Sequence, residues 1–487
     1  MPKKVRETRR KSRSLPVAAL LATGALVATA TPATGDTDDP IYNPLPDPEL
    51  SDLALTLEEY AQIPASQPDP PPDDERLDRE NRINFLGELP DGSGRHFVPD
   101  LNGSLYLVDD GEPKEYLDVS AEFLPEFWNH QGLGSGFGFA AFHPEFADNG
   151  LFYTVHTEGR EALEEETPDL PEPDDIAHHG VITEWTADDP TADTFSGTHR
   201  EVLRLGFETF IHGFQEINFN PTAQPGDEEY GLLYLAVGDG GGAVESDATQ
   251  DLERPEGTIF RVDPQGRDSS NGAYGIPSHN PFVDEDDALG EIYAHGLRNP
   301  HRFSWDPAGN HRMFLGNIGE WQIESIYEVR PGDNFGWAER EGPFRVGEDR
   351  QIYPLPDNDD EYGYTYPVAA YDHNREPGET GDLGVATVGG FVYRGDIPLL
   401  RGHYVFGDIV DGNVYWTRAG EMRQESSRLA SIHEFRILDE DGTEVTMQEL
   451  AGEERVDLRF GSDASGELYV LSKGSGTVWR VTDATRR

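Results

Sequence analysis

The sequence has no cysteine and only four methionines among 487 residues. Disulfides, thiolate catalysis and cysteine-ligated zinc or iron–sulfur centres are therefore excluded, as is a lipid anchor on cysteine. Positive charge is scarce: 38 Lys and Arg stand against 93 Asp and Glu, a net charge of −55. A surface of that sign repels phosphate, so nucleic acid is not expected as a partner. Beyond residue 30 no run is long and apolar enough to span a bilayer, and helical periodicity is almost absent after residue 83. The acids are spread along the chain rather than gathered in one tail, which suggests a surface built for high salt. Melting temperature should then rise with sodium chloride, because screening relieves self-repulsion. Thermal melts between dilute buffer and molar salt check this, and a flat or falling melting temperature contradicts it.

What is present falls into three parts. Met1 to Arg13 holds seven Lys/Arg and one Glu, Leu15 to Val27 is small and apolar, and Ala28-Thr29-Ala30 fits a cleavage site. Residues 1–30 thus read as a signal peptide, and the remainder as secreted or periplasmic. Its removal takes the charge from −55 to −61, with seven positive charges and one negative charge lost. Residues 31–80 are rich in Pro and Asp ("PDPPPDDE") and read as a linker or arm, with a short helix expected near Leu55 to Gln62. Residues 81–487 alternate short β-type runs with Gly, Pro, Asn and Asp turns. The stretches "FVPDLNGSLYLV", "FHPEFADNGLFYTV", "FNPTAQPGDEEYGLLYLAV", "WDPAGNHRMFLGN" and "FGSDASGELYVL" share one grammar: a strand ending in an aromatic, a turn, then a strand with paired large apolar residues. "LRGHYVFGDIVDG" supplies a sixth such strand. All-strand repeats that cannot bury both faces alone predict an all-β, six-bladed β-propeller, with function on the loops at one end of its channel.

Five segments carry candidate chemistry. His212 in "FIHGFQEINFNP" precedes a β run and could act as a base near neutral pH. Asp239 in "LAVGDGGG" can orient a neighbour, and the glycines after it allow a ligand to approach the backbone. Arg298 in "GLRNP" offers a flat fork of donors for a carboxylate or oxyanion, with Asn299 beside it. "GNIGEWQIESIYEVRPGDNFGW" mixes carbonyls and carboxylates in a manner that suits calcium. Arg394, in "VGGFVYRGDIPLLRGHYVFGDIVDG", could add a second cation. Each alone has a plainer reading: a structural histidine, a turn, an arginine bridging two blades, a loop on an acidic surface.

In order along the chain, from about Ile83 to Val481, these segments resemble the glucose/sorbosone dehydrogenase family, soluble aldose dehydrogenases that use pyrroloquinoline quinone. "FHPEFADNGLFY", "YAHGLRNPHRFSWDP", "NFGW" and "GGFVYRG" followed by "LRGHYVFGD" carry the resemblance. It implies a six-bladed propeller that oxidises aldose sugars or related alcohols to lactones, with pyrroloquinoline quinone and Ca2+ as cofactors and a soluble electron acceptor. It implies His212 as the general base and Arg298 beside the quinone carbonyl that gains negative charge, with Asn299 also on the cofactor. Arg394 aligns with a lysine that pairs with a cofactor carboxylate. Gln131 in "NHQGLGSG" and Asp239 align with residues near the sugar and the base. Gly319 and Glu320 align with two carbonyls that hold the active-site calcium, Glu320 standing where the glucose enzymes have proline. Near "GDIVDGN" those enzymes carry further arginines, where this chain has Asp408 and Asp411. Two other readings stay open: a calcium-dependent, lactonase-like hydrolase, and a non-catalytic propeller that binds glycans or proteins. A monomer or homodimer is expected.

Overall fold

Runs such as Phe137–Phe142 (FGFAAF) and Leu233–Val237 (LYLAV) lack the polar alternation of a half-exposed strand. Strands covered on both faces read this way, and both are buried along their whole length in the computed structural model. The structure describes residues 39–242, 247–379, 384–426 and 428–487; the expected signal peptide lies outside them. The four α-helices among the described residues are only four to six residues long, so the chain is nearly all β. Among the described residues no helix is long and apolar enough to cross a membrane.

Three four-stranded antiparallel sheets follow one another along the chain. The first begins at Phe137–Phe142, the second at Phe214–Phe219 and the third at Asn299–Trp305. A longer sheet contains three further antiparallel groups. One runs from Thr387–Val392 to His433–Leu438. Another runs from Leu86–Glu88 to Glu112–Asp118. Between them lie Leu458–Ser462, Leu468–Ser472, Thr477–Arg486 and the strand Glu49–Gln62. The joins between these groups are parallel, whereas pairing inside each group is antiparallel.

Glu49–Gln62 overturns the expected helix over 55–62. It is one 14-residue strand, antiparallel to Thr477–Arg486 on one edge and parallel to His433–Leu438 on the other. Leu53, Leu55 and Leu57 alternate into the core, each at most 2 % exposed. That period of two is a strand signal. Leu77, in the Pro/Asp-rich segment, is 1 % exposed.

The first strands of successive groups meet at a common centre through polar contacts. Asn84 Nδ2 donates to Gly138 O at 2.7 Å, Phe303 N–H to Glu216 Oε2 at 3.0 Å, and Ser304 Oγ to Gly390 O at 2.7 Å. Arg459 Nε donates to Asn84 Oδ1 at 2.9 Å, which joins the last of these groups to the first. Because these strands are covered on both sides, their few charged residues can only point toward that centre, and this geometry builds the site.

Candidate active site

His212 lies between the strands Gly197–Phe207 and Phe214–Phe219. Its φ of +54° is left-handed backbone, unfavourable for a residue with a Cβ. Two contacts hold it there. Gly240 N–H donates to His212 O at 3.0 Å. Gly238 passes so close that a Cβ on it would sit 2.3 Å from the same carbonyl oxygen. Gly238 of "LAVGDGGG" therefore makes room for the histidine's own loop.

His212 Nδ1 lies 2.7 Å from Asp239 Oδ1. The carboxylate accepts, so Nδ1 carries the proton and Nε2 keeps its lone pair. Burial pushes the Asp239 carboxyl up, but His212, Arg298 and the Gly241 N–H together hold it below the usual carboxylate range. Asp239 Oδ2 accepts from Trp337 Nε1 at 3.1 Å, and Asp239 N–H donates to Arg298 O at 2.8 Å. The Arg298 guanidinium lies over the Trp337 ring, 5.9 Å from its centroid. Asp239 and Trp337 thus tie the positions of His212 and Arg298 together. Trp337, from "NFGW", was not among the candidate site residues.

A cavity of about 670 Å³ opens at this point, within the roughly 300–1,000 Å³ common for small-molecule sites. It brings together Gln131, His212, Arg298, Asn299, Gly319 and Glu320. Asp239 stands behind His212. Gln131 sits on a loop pinned by Arg82, whose guanidinium donates to Asn129 O at 2.6 Å and Ser135 O at 3.1 Å. Asn299 Oδ1 is buried without a hydrogen-bond partner among the described residues. Arg394 is not brought to the cavity. The strand Thr387–Val392 has its Ala386 end there, and Arg394 lies past the other end. There its Nε and Nη2 grip the two Asp306 carboxylate oxygens at 2.8 and 2.7 Å.

Glu320 uses its side chain in a way its proposed carbonyl role did not foresee. Its Oε2 accepts from Arg298 Nε at 2.8 Å and pairs with Nη2 of the same fork. The backbone around it is fixed by Glu341 Oε1, which accepts from the N–H groups of Trp321, Gln322 and Ile323 at 2.9, 2.7 and 2.8 Å. The carbonyls of Gly319 and Glu320 accept no hydrogen bond from the described residues.

Three cations were missed. Arg302, Arg459 and Lys473 line the cavity and form no ion pair among the described residues. Lys473 Nζ reaches only Leu133 O, at 2.8 Å. Burial pulls Arg302 down to about 10. Burial, with Arg302 alongside, pulls Arg459 down to about 9. Burial, then Arg459 and Arg82, pushes Lys473 well below the usual lysine range. Charged groups this poorly compensated favour an anionic ligand. A signal existed in the sequence: after residue 30 a chain so rich in acids has only two lysines, Lys114 and Lys473.

Glu216 is the carboxylate facing Arg302, yet burial raises its pKa to about 7, against the pull of Arg302 and the Phe303 N–H. Near neutrality it is therefore only partly charged, and Arg302 is left largely uncompensated. The unfolded chain releases this proton near pH 4.3. Between there and about pH 7 the folded chain holds a proton that the unfolded one lacks. This group's contribution to stability should fall across that window, by about 4 kcal/mol in full. Urea unfolding at pH 5 and pH 7.5 should show a shallower loss in Glu216→Gln than in the unmodified protein. Identical slopes would contradict a raised Glu216.

The glucose/sorbosone dehydrogenase family model matches residues 84–444. The chain belongs to this family. Among curated members it is 26 % identical to the HIPL2 protein of Arabidopsis thaliana, over 85 % of this chain and 63 % of that one. It is 24 % identical to the aldose sugar dehydrogenase YliI of Escherichia coli K12, over 79 % of this chain and 88 % of that one. The chain thus spans less than two thirds of the plant protein's length. Among solved structures, the quinone-bound aldose sugar dehydrogenase of Streptomyces coelicolor superposes with a TM-score of 0.55 at 17 % identity, covering 89 % of this chain and 99 % of that one. The glucose/sorbosone dehydrogenase fold is therefore shared.

Proposed function

We propose that this chain is a quinone-dependent sugar dehydrogenase, a six-bladed propeller that oxidises aldoses or related alcohols to lactones and passes the electrons to an external acceptor. One observation carries the reading: a single cavity presents His212, backed by Asp239, together with Arg298 and three cations that form no ion pair among the described residues. The six antiparallel groups of strands around one centre are read as the six blades, and the charged-then-apolar N-terminus supports export.

The donor set fits the cofactor. Arg302, Arg459 and Lys473 would hold the carboxylates of pyrroloquinoline quinone, and Asn299 would meet its rim. When bound, that group supplies a carbonyl that accepts two electrons from the substrate carbon. The free carbonyls of Gly319 and Glu320, beside acidic side chains, suit a hard cation such as Ca2+. His212 takes the proton of the substrate hydroxyl at Nε2. Asp239 keeps the imidazole in the correct tautomer and balances the charge it gains. Arg298 steadies negative charge as it builds on the acceptor oxygen. Gln131 orients the sugar from the facing loop. A hydrolase could use the same histidine and calcium, but it has no need of three unpaired cations.

Glu320 competes for the Arg298 fork, so its neutralisation should free that arginine. Glu320→Gln is expected to tighten quinone binding by about tenfold, equivalent to about 1.4 kcal/mol; fluorescence titration with quinone and calcium measures it. Unchanged or weaker binding would place Arg298 outside the quinone site. The activity itself is tested by dye reduction with a panel of aldoses, on protein reconstituted with quinone and calcium. Reduction with at least one aldose is expected. Bound quinone with no oxidation of any sugar or alcohol would favour the binding propeller instead.

A further inference from the structure

A second cluster of metal-ligating residues lies away from the cavity. Glu88 ends the strand Leu86–Glu88, and its cross-strand partner is His96, the first residue of His96–Pro99. The strand Leu458–Ser462 runs parallel to the first, with Ser462 beside Gly87, and Asp463 follows it. One ligand atom from each of Glu88, His96 and Asp463 lies within 4.8 Å of the other two. None of the three lines the cavity. Asn84 and Arg459, which do, sit four residues earlier on the same two stretches of chain, about 13 Å back at the rise of a strand.

Two acids alone would carry nothing; the histidine decides the matter. His96 is 6 % exposed, wedged between the rings of Tyr60 and Tyr469 at centroid distances of 5.3 and 5.0 Å. Its Nδ1 lies 2.8 Å from the Tyr60 hydroxyl, whereas its Nε2 is buried with no hydrogen-bond partner among the described residues. A buried ring nitrogen left unpaired is costly and rare. Burial also lowers the His96 pKa, despite the opposing pull of Asp463. The two carboxylates are each anchored through one oxygen. Glu88 Oε2 accepts from Ala464 N–H at 2.8 Å, and Oε1 is without a hydrogen bond among the described residues. Asp463 Oδ1 accepts from the N–H groups of Ser465 and Glu467 and from Ser465 Oγ. Asp463 Oδ2 has only a 3.4 Å contact to the Tyr469 hydroxyl. Each residue therefore offers one ligand atom while a second interaction fixes its direction, the pattern of outer-shell support in metal sites.

We propose that Glu88, His96 and Asp463 bind a divalent transition-metal ion of the zinc type, independently of the quinone site. An imidazole with two carboxylates suits zinc, cobalt or manganese, whereas calcium and magnesium favour sets made of oxygen alone. Such an ion would clasp the first hairpin of the strand-rich body to the hairpin near the C-terminus. Through Tyr60 it would also brace the strand Glu49–Gln62. Its role is mechanical: the ion strengthens the join between the two ends of the chain.

The test uses the full chain, stripped with chelator and desalted. Zinc binding is measured by calorimetry and its effect on melting temperature by thermal unfolding, with calcium as the comparison ion. The expected result is one zinc per chain at this site and a rise in melting temperature of several degrees that equal calcium does not reproduce. His96→Gln and Glu88→Gln should each abolish the zinc-dependent rise and weaken zinc binding at least tenfold. Glu88 is partly exposed at a strand end, so its variant should fold even if His96→Gln does not. Cobalt should give visible ligand-field bands in the unmodified protein and lose them in Glu88→Gln. Quinone binding should be the same in Glu88→Gln as in the unmodified protein. The proposal is overturned by the absence of a zinc-dependent rise in the unmodified protein, by a rise that survives in Glu88→Gln, or by an equal response to calcium.

Discussion

His212→Ala is expected to lower dye-linked sugar oxidation by about 10²–10⁴-fold, the usual contribution of a positioned base, while quinone affinity changes by less than about twofold. The separation of the two readouts follows from the site. His212 lines the cavity, and with Nδ1 engaged by Asp239 at 2.7 Å its Nε2 is the nitrogen left for the substrate proton. The cations that would hold an anionic cofactor come from other strands. Asp239→Asn should also lower the rate and shift the acidic limb of the rate–pH profile, because an amide can present either a donor or an acceptor to Nδ1 and no longer fixes the tautomer. Rate loss without a changed profile would assign Asp239 a merely structural role. Wild-type turnover in His212→Ala would place the base elsewhere.

The second large effect is on cofactor binding. Replacing Arg459 and Lys473 together by Met should weaken quinone binding by about 10²–10⁴-fold, because two charge-assisted contacts of ~1.5–3 kcal/mol each are lost. The same logic predicts the opposite sign for stability. Lys473 is buried, its ammonium reaches a single carbonyl among the described residues, and Arg459, Arg82 and Arg455 act on it against one carboxylate, Asp457. Exchange of a poorly compensated buried charge for an apolar side chain of similar size is often neutral or stabilising. Lys473→Met should therefore raise the melting temperature of the quinone-free protein while it weakens the quinone complex. A fall in both would mean that Lys473 is part of the fold rather than of a ligand site.

The contrast between what could and could not be read locally has a physical basis. The strand repeats were legible because turn chemistry and paired apolar residues are local properties. His212, Asp239 and Arg298 were legible because each sits in a motif with Gly or Pro at fixed offsets. The strand Glu49–Gln62 was misread because "LTLEEYAQ" is rich in the good helix formers Leu, Glu, Ala and Gln, whereas its partners, residues 433–438 and 477–486, lie far along the chain. Arg394 was misplaced because a motif aligns residues along a strand and does not say which end meets the site. Arg302 and Arg459 are each the one Lys or Arg of a short strand. Their function depends on three segments converging, and nothing in one segment reveals it. Glu320 was assigned by its backbone, so the reach of its carboxylate to Arg298 could emerge only from the fold.

The most direct test of the central claim is a titration of purified protein with pyrroloquinoline quinone, with calcium present and then with chelator, followed by absorption of the bound quinone. The account predicts saturable, one-to-one binding that requires calcium, is lost on chelation, and is restored when calcium is returned. Absence of saturable binding with calcium present would contradict it, and the chain would then be a member of its family that has kept the cavity without the cofactor.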